Sequence, residues 1–191
     1  MITKKQLPIL NKLRIKSPQT FRELKESLKT NSNSFLQKTI LEFEKEKIIS
    51  IEQIGNQKLY KINLTNNCIN YISLISYQLY SLPLKTIENI SNELNKEISF
   101  YSLIVFGSYA KNKQTKSSDL DMAIIVKNKS SSIETILESI KRKEIINIDF
   151  HIITELELKK MIKNDEENLG KEILKNNLPI INLQIFYNII K

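Results

Sequence analysis

Cysteine is nearly absent from this chain, and the single residue Cys68 leaves no partner for an intramolecular disulfide. It reads as a partly buried thiol rather than as a nucleophile. No run of roughly 18 or more apolar residues occurs, so no membrane-spanning helix and no membrane partner is expected. The first eight residues, MITKKQLP, lack an apolar core followed by a small-residue cleavage site, so a typical signal peptide is not expected either. Together these absences predict a protein of the reducing cytoplasm. Arginine is scarce too, confined to Arg14, Arg22 and Arg142, while Lys, Ile and Asn are over-used. That bias marks an AT-rich genome and carries little chemistry. No low-complexity run or internal repeat is visible.

What is present is ordinary in bulk and uneven in distribution. A charged share of 26% and an apolar share of 41% suit a globular chain, and 191 residues suffice for one large domain or two small ones. The basic excess is concentrated. Residues 1–63 hold 13 Lys/Arg against 6 Asp/Glu, whereas residues 64–191 hold 16 against 15. A net of +7 in the first third is as expected if that third meets a polyanion, although lysine-rich solvated helices produce the same pattern.

The first 63 residues read as three helices and a hairpin. Leu7, Leu10 and Leu13 recur at helical spacing over residues 4–16, and Ser17-Pro18 ends that helix. Thr20 with Glu23 forms a capping box for a second helix running to about Leu28. Thr30–Asn33 make a turn. A third helix is expected from about Ser34 to Lys47, with Phe35, Leu36, Ile40, Leu41 and Phe43 available to its buried side. Residues 48–54 and 58–62 flank Gly55-Asn56, a dipeptide suited to a two-residue hairpin.

This order, with Ile40–Ile49 and Lys58-Leu-Tyr-Lys61, resembles a winged helix-turn-helix, although Lys47 stands where that family often has glycine. The resemblance implies double-stranded DNA as a partner, with helix three in the major groove and the wing along the backbone. Its candidate contacts are Ser34, Gln37, Lys38, Gln57 and Lys58. A winged helix used only for dimerisation or protein contact is the alternative. Residues 64–98 are expected to be helical with a break at Pro83. Their apolar positions Ile69, Ile72, Ile75, Leu79 and Leu82 suggest a linker or a homodimer seam.

From residue 99 the pattern changes to alternating strands and helices, an α/β core behind the α+β N-terminal domain. Residues 99–106, 119–126 and 145–153 are expected strands, Ser132–Lys143 an amphipathic helix, and 154–191 a helical tail with an extended break at Pro179. Asp165, Glu166 and Glu167 read as the acidic start of a helix. Between the first two strands lie Gly107-Ser108-Tyr-Ala-Lys111-Asn112 and Ser118-Asp119-Leu-Asp121-Met122. Gly107 allows close backbone approach to a ligand, and Ser108 sits where a helix begins, a place that favours phosphate oxygens. Asp119 and Asp121, two apart on extended chain, project from the same face. Two carboxylates that close repel unless a cation lies between them, and magnesium is the natural hard occupant. Asp149 interrupts an apolar strand, which is costly unless it serves a site or is paired. His151 should share its face.

The Gly-Ser, short helix and Ser-Asp-X-Asp pattern resembles the DNA polymerase beta superfamily, nearest its minimal nucleotidyltransferases. The resemblance covers about 55 residues. It implies a magnesium- or manganese-dependent enzyme that transfers a nucleotidyl group from ATP or another nucleoside triphosphate. Asp119, Asp121 and Asp149 would form the catalytic metal cluster of a two-metal mechanism, with Asp149 also helping to remove the acceptor proton. Gly107, Ser108, Lys111 and Ser118 would bind nucleotide and phosphate, and Lys113 and Lys116 lie in the same loop. Asn112 replaces a usual glycine and Met122 a usual leucine, without removing a chemical group. Only 42 residues follow Asp149, too few for the RNA-holding domains of tailing relatives. Small relatives of this kind act as antitoxins that nucleotidylate a HEPN-type toxin, which makes a protein acceptor the leading expectation. A DNA-binding regulator whose core senses nucleotide without turnover is the second expectation. Modification of a small molecule such as an aminoglycoside is the third.

Overall fold

A computed structural model describes residues 2–28 and 32–190, and the chain divides into two compact units, Met1–Leu79 and Tyr80–Lys191. The turn expected at Thr30–Asn33 falls partly outside the described residues. No described helix is long and apolar enough to cross a membrane.

The first unit contains α1 (Leu7–Ile15), β1 (Gln19–Thr20), α2 (Phe21–Leu28), α3 (Asn33–Lys45), β2 (Ile49–Ile54), β3 (Gln57–Ile62) and α4 (Asn66–Leu79). The capping box forms as its spacing requires: the Glu23 amide donates to Thr20 Oγ1 at 3.2 Å, and the Thr20 amide donates to Glu23 Oε2 at 2.8 Å. Ile54 pairs with Gln57, so Gly55-Asn56 is the whole hairpin loop, with Gly55 at φ +57°. β1 joins this hairpin as a third antiparallel strand through Gln19 and Tyr60, giving the order β1-β3-β2. Two residues carry too little periodicity for β1 to be read from sequence.

Helix α3 buries Leu36, Ile40 and Phe43 but leaves Phe35 and Leu41 exposed, contrary to expectation. Positions 36, 40 and 43 follow the 3.6-residue repeat, and one stripe cannot also take 35 and 41. In α4, Ile69, Ile72 and Ile75 turn into the unit's own core, where α4 packs on α1. The stretch 64–98, expected as a linker or dimer seam, thus divides: α4 belongs to the first unit and the next helix to the second.

The second unit comprises α5 (Leu84–Leu94), β4 (Tyr101–Val105), α6 (Gly107–Ala110), β5 (Leu120–Val126), α7 (Ser131–Lys143), β6 (Ile148–Thr154), α8 (Glu155–Lys163), α9 (Leu169–Lys175), β7 (Leu178–Ile181) and α10 (Leu183–Ile190). It is a mixed sheet of four strands flanked by helices, in the order β6-β5-β4-β7. β5 and β6 run parallel, joined through α7, and β4 is antiparallel to both β5 and β7. The extended break expected around Pro179 is β7, a full partner of β4. Pro179 fits because this strand lies at the sheet's edge, where a missing N–H is tolerated.

Alternation along the strands sorts the two faces. Leu120, Met122, Ile124 and Val126 enter a core with Ile87 and Ile90 of α5 and Leu137 and Ile140 of α7. Asp121, Ala123 and Ile125 face the other way, the side on which α8, α9 and α10 pack together. The acidic run 165–167 does not open a helix. It forms the loop before α9, whose cap is Asn168, accepting the Lys171 amide at 3.1 Å.

Two local features of the first unit are open to measurement. Lys47 sits at φ 56° just past α3, with Lys47 N–H on Glu44 O at 2.9 Å and Ile48 N–H on Phe43 O at 2.8 Å. These are the paired bonds of a Schellman cap, whose left-handed position favours glycine. Lys47→Gly is expected to raise stability by about 0.5–1 kcal/mol in urea unfolding, as left-handed strain outweighs added chain entropy. Cys68 is fully buried in α4, and burial pushes its thiol up to about 12. The native protein should therefore resist a disulfide thiol reagent at pH 8 and react only in denaturant.

Candidate active site

The site is built where β4 ends. Main chain leaves the sheet at Phe106, whose amide donates to Asp121 O at 3.0 Å, and turns sharply at Gly107 with φ +63°. Only glycine fits this turn. A Cβ on Gly107 would stand 1.8 Å from Asp121 Oδ2, so the space freed by the absent side chain is filled by the Asp121 carboxylate. The close approach expected of a ligand is made, in this structure, by a side chain of the protein itself. The Ser108 amide, at the start of the short helix α6, donates to the same carboxylate. At the far end of α6, Asn112 adopts φ 53°, the left-handed conformation expected where a glycine is usual.

The second carboxylate arrives through strand register. Asp121 of β5 pairs with Asp149 of β6 in the parallel ladder, and register partners project from the same sheet face. Asp119 lies on exposed chain just before β5. Burial and the facing Asp149 raise the Asp121 carboxyl above its ordinary range, with smaller contributions from Glu172 and Asp119, against the lowering effect of the Ser108 amide. Four acidic groups thus act on one small region.

Asp149 is less costly to its strand than an apolar neighbourhood implies. β6 is the outer strand of the sheet and the Asp149 side chain is 54% exposed, so water solvates the charge. Its Oδ2 lies 3.0 Å from His151 Nε2, and the His151 ring packs on Phe106 with centroids 5.5 Å apart. His151 therefore does share the face of Asp149.

Among the described residues, no three His, Cys, Asp or Glu side chains converge closely enough to make a ready cage for a metal ion. Each carboxylate instead takes the nearest donor: Asp121 the Ser108 amide, Asp149 the His151 ring. The donor set nonetheless fits a hard divalent cation. It is all oxygen, and such a cation would relieve both the burial of the Asp121 charge and its repulsion by Asp149.

The remaining expected residues are placed as follows. Lys111 caps α6 and pairs with Glu172 of α9 at 3.7 Å, which puts one cation at the rim. Ser118 is occupied locally, its Oγ accepting the Thr115 amide at 2.8 Å and holding the loop before Asp119. Ser34, Gln37, Lys38, Gln57 and Lys58 are all exposed on the first unit. Glu172 was not foreseen from sequence. It reaches the site from a helix more than fifty residues beyond Asp119, and no local spacing could signal it.

Residues 84–180, just over half of the chain, match the family described as Nucleotidyltransferase domain. No curated protein and no solved structure matches the chain. The matched span holds Gly107, Ser108, Asp119, Asp121, Asp149 and Glu172, so the family assignment and the acidic site concern the same part of the molecule. With a mixed four-stranded sheet, a glycine-serine turn and facing carboxylates inside that span, the chain belongs to the nucleotidyltransferase domain family.

Proposed function

We propose that this protein is a metal-dependent enzyme transferring a nucleotidyl group, AMP from ATP, to a hydroxyl on a protein acceptor. The observation that carries the reading is the in-register pair Asp121–Asp149 beside the Gly107-Ser108 turn. Family membership supports nucleotidyl transfer in general. Donor, acceptor and residue roles are our assignment.

In this reading Asp119, Asp121 and Asp149 hold magnesium or manganese. Bound there, the metal supplies charge neutralisation on the triphosphate and acidifies the acceptor hydroxyl. The backbone at Gly107 and Ser108 receives phosphate oxygens, a role that requires Asp121 to yield the Ser108 amide. Lys111, released from Glu172, adds a positive charge at the rim, and Ser118 keeps the loop before Asp119 in place. Asp149, the more solvated carboxylate, accepts the proton of the acceptor hydroxyl. The acceptor oxygen bonds to the α-phosphorus, the bond from that phosphorus to the bridging oxygen breaks, and pyrophosphate leaves. His151 orients Asp149 through the 3.0 Å contact.

We assign the acceptor to a HEPN-type toxin and the chain to an antitoxin role. The first unit is then a winged helix that binds double-stranded DNA through Ser34, Gln37, Lys38, Gln57 and Lys58. The exposure of all five and the charge excess of residues 1–63 support that part. The same excess favours a second reading, a DNA-binding regulator in which the second unit only senses nucleotide.

ATP labelled at the α-phosphate, incubated with the protein, magnesium and the product of the adjacent gene, separates the two readings. Label on the partner with release of pyrophosphate is the expected result. DNA binding that shifts with ATP while no label moves to partner or self would favour the regulator. Asp121→Asn and Asp149→Asn should each lower transfer by about a hundredfold or more, the scale seen when one charge-stabilising group is removed. Gly107→Ala should be as damaging while touching no functional group, because the new methyl displaces the Asp121 carboxylate. Its normal unfolding profile alongside lost transfer would separate a site defect from misfolding.

A further inference from the structure

The second unit carries a feature that the acidic site does not use. β6 pairs with β5 along one side only, and among the described residues no strand pairs with its other side. Seven residues long and free of proline, this edge carries a single charged side chain, Asp149, near its start, and the stretch 150–153 has none. A cleft of about 410 Å³ runs along it, lined wholly by residues of the second unit. Phe150 and Ile152 line it from the sheet face that meets α7, and His151 and Ile153 from the face that meets α8. Consecutive residues from both faces can border one cavity only where that cavity sits at the strand's rim. Leu137 of α7 and Met161 of α8 form its apolar flanks.

Charge narrows the occupant. Lys129 is tied to Glu157 at 2.9 Å and Lys141 to Glu138 at 3.3 Å, whereas Glu134 has no ion pair among the described residues. The lining therefore carries one net negative charge, which repels a phosphate backbone and suits a lysine or arginine. A row of unpaired backbone N–H and C=O groups is matched by another extended backbone. The cleft also leads to the site, because His151 lines it and bonds Asp149 one residue beyond Phe150. A chain lying along residues 150–153 reaches the Asp149 carboxylate after one more step of roughly 3.3 Å.

We propose that the free edge of β6 receives an extended segment of the acceptor protein as an added strand, bearing a basic residue opposite Glu134 and presenting its hydroxyl to Asp149. The proposal rests on the protein-acceptor reading above and specifies how the acceptor is held. Recognition comes from the main chain, with side chains of the added strand falling alternately beside Leu137 and Phe150 on the α7 face and beside Met161 on the α8 face.

The test uses the full isotope-labelled chain and a synthetic nonapeptide of alternating valine and threonine with a central tyrosine and one lysine. Amide shifts in residues 148–154, and slowed exchange of alternate β6 amides, are expected on titration. Methylating the peptide's backbone nitrogens at alternate positions, side chains unchanged, should weaken binding at least about tenfold in one of the two registers. Met161→Trp, which fills the cleft, should weaken it similarly. Shifts that spare β6 up to millimolar peptide overturn the proposal, as does equal binding of both methylated peptides. Tighter binding of a single-stranded oligonucleotide at the same residues overturns it too. Line broadening of β6 with protein concentration alone assigns the edge to a second copy and also overturns it. Label transfer is read separately. A peptide that docks on β6 but takes no nucleotide argues against the protein-acceptor reading and leaves the docking intact, while a labelled partner with β6 unperturbed does the reverse.

Discussion

The second unit is organised around one steric fact: the Asp121 carboxylate occupies the volume that a side chain on Gly107 would fill. That contact ties the end of β4 to the start of β5 at the point where the chain leaves the sheet. It also fixes which way Asp121 faces, because the Phe106 amide bonds Asp121's own carbonyl in the same stretch. The carboxylate is then half-buried, held by the Ser108 amide and crowded by Asp149 from the adjoining strand. Repulsion of this kind is tolerated in a folded protein only where something else balances it. Here the balance comes from the Ser108 amide on Asp121 and the His151 ring on Asp149, groups that a stronger ligand for the carboxylates can displace.

The parallel pairing of β5 with β6 does the rest. A shift of one residue would send Asp149 to the opposite face, among the side chains that pack on α5 and α7, where a charge is costly. Leu120, Met122 and Ile124 on one strand and Ile148, Phe150 and Ile152 on the other are all drawn to that core. Their burial holds the register, and the register brings the two aspartates together. A hydrophobic pattern therefore positions a polar site that it does not touch.

Much of this was legible in the sequence for physical reasons. The aspartates were visible because two carboxylates at alternate positions in an apolar strand have few structural uses. The cap at Thr20 and the hairpin at Gly55-Asn56 depend on spacing within a few residues, and both formed as read. Asn112 stands where the resembled family usually has glycine, and its left-handed backbone is one that asparagine tolerates. What sequence could not show depends on distant contacts. Glu172 enters the site from α9, β7 acquires its identity by pairing with β4, and α4 turns its apolar face into the first unit because α1 is there to receive it. The exposure of Asp149 likewise followed from β6 being outermost, a matter of strand order that periodicity does not encode.

The three glycines of this chain are not equivalent. Gly107 and Gly170 stand where an added carbon would come within 1.8 Å of Asp121 and 2.4 Å of Met161, while Gly55 has open space around it and is held only by its dihedral angle. Lys47, Asn112 and Asn182 already show that this backbone accepts left-handed residues other than glycine. Under neutral drift, then, the hairpin position is free to become asparagine and the other two are not. Glycine would survive longest where it makes room, not where it only bends the chain.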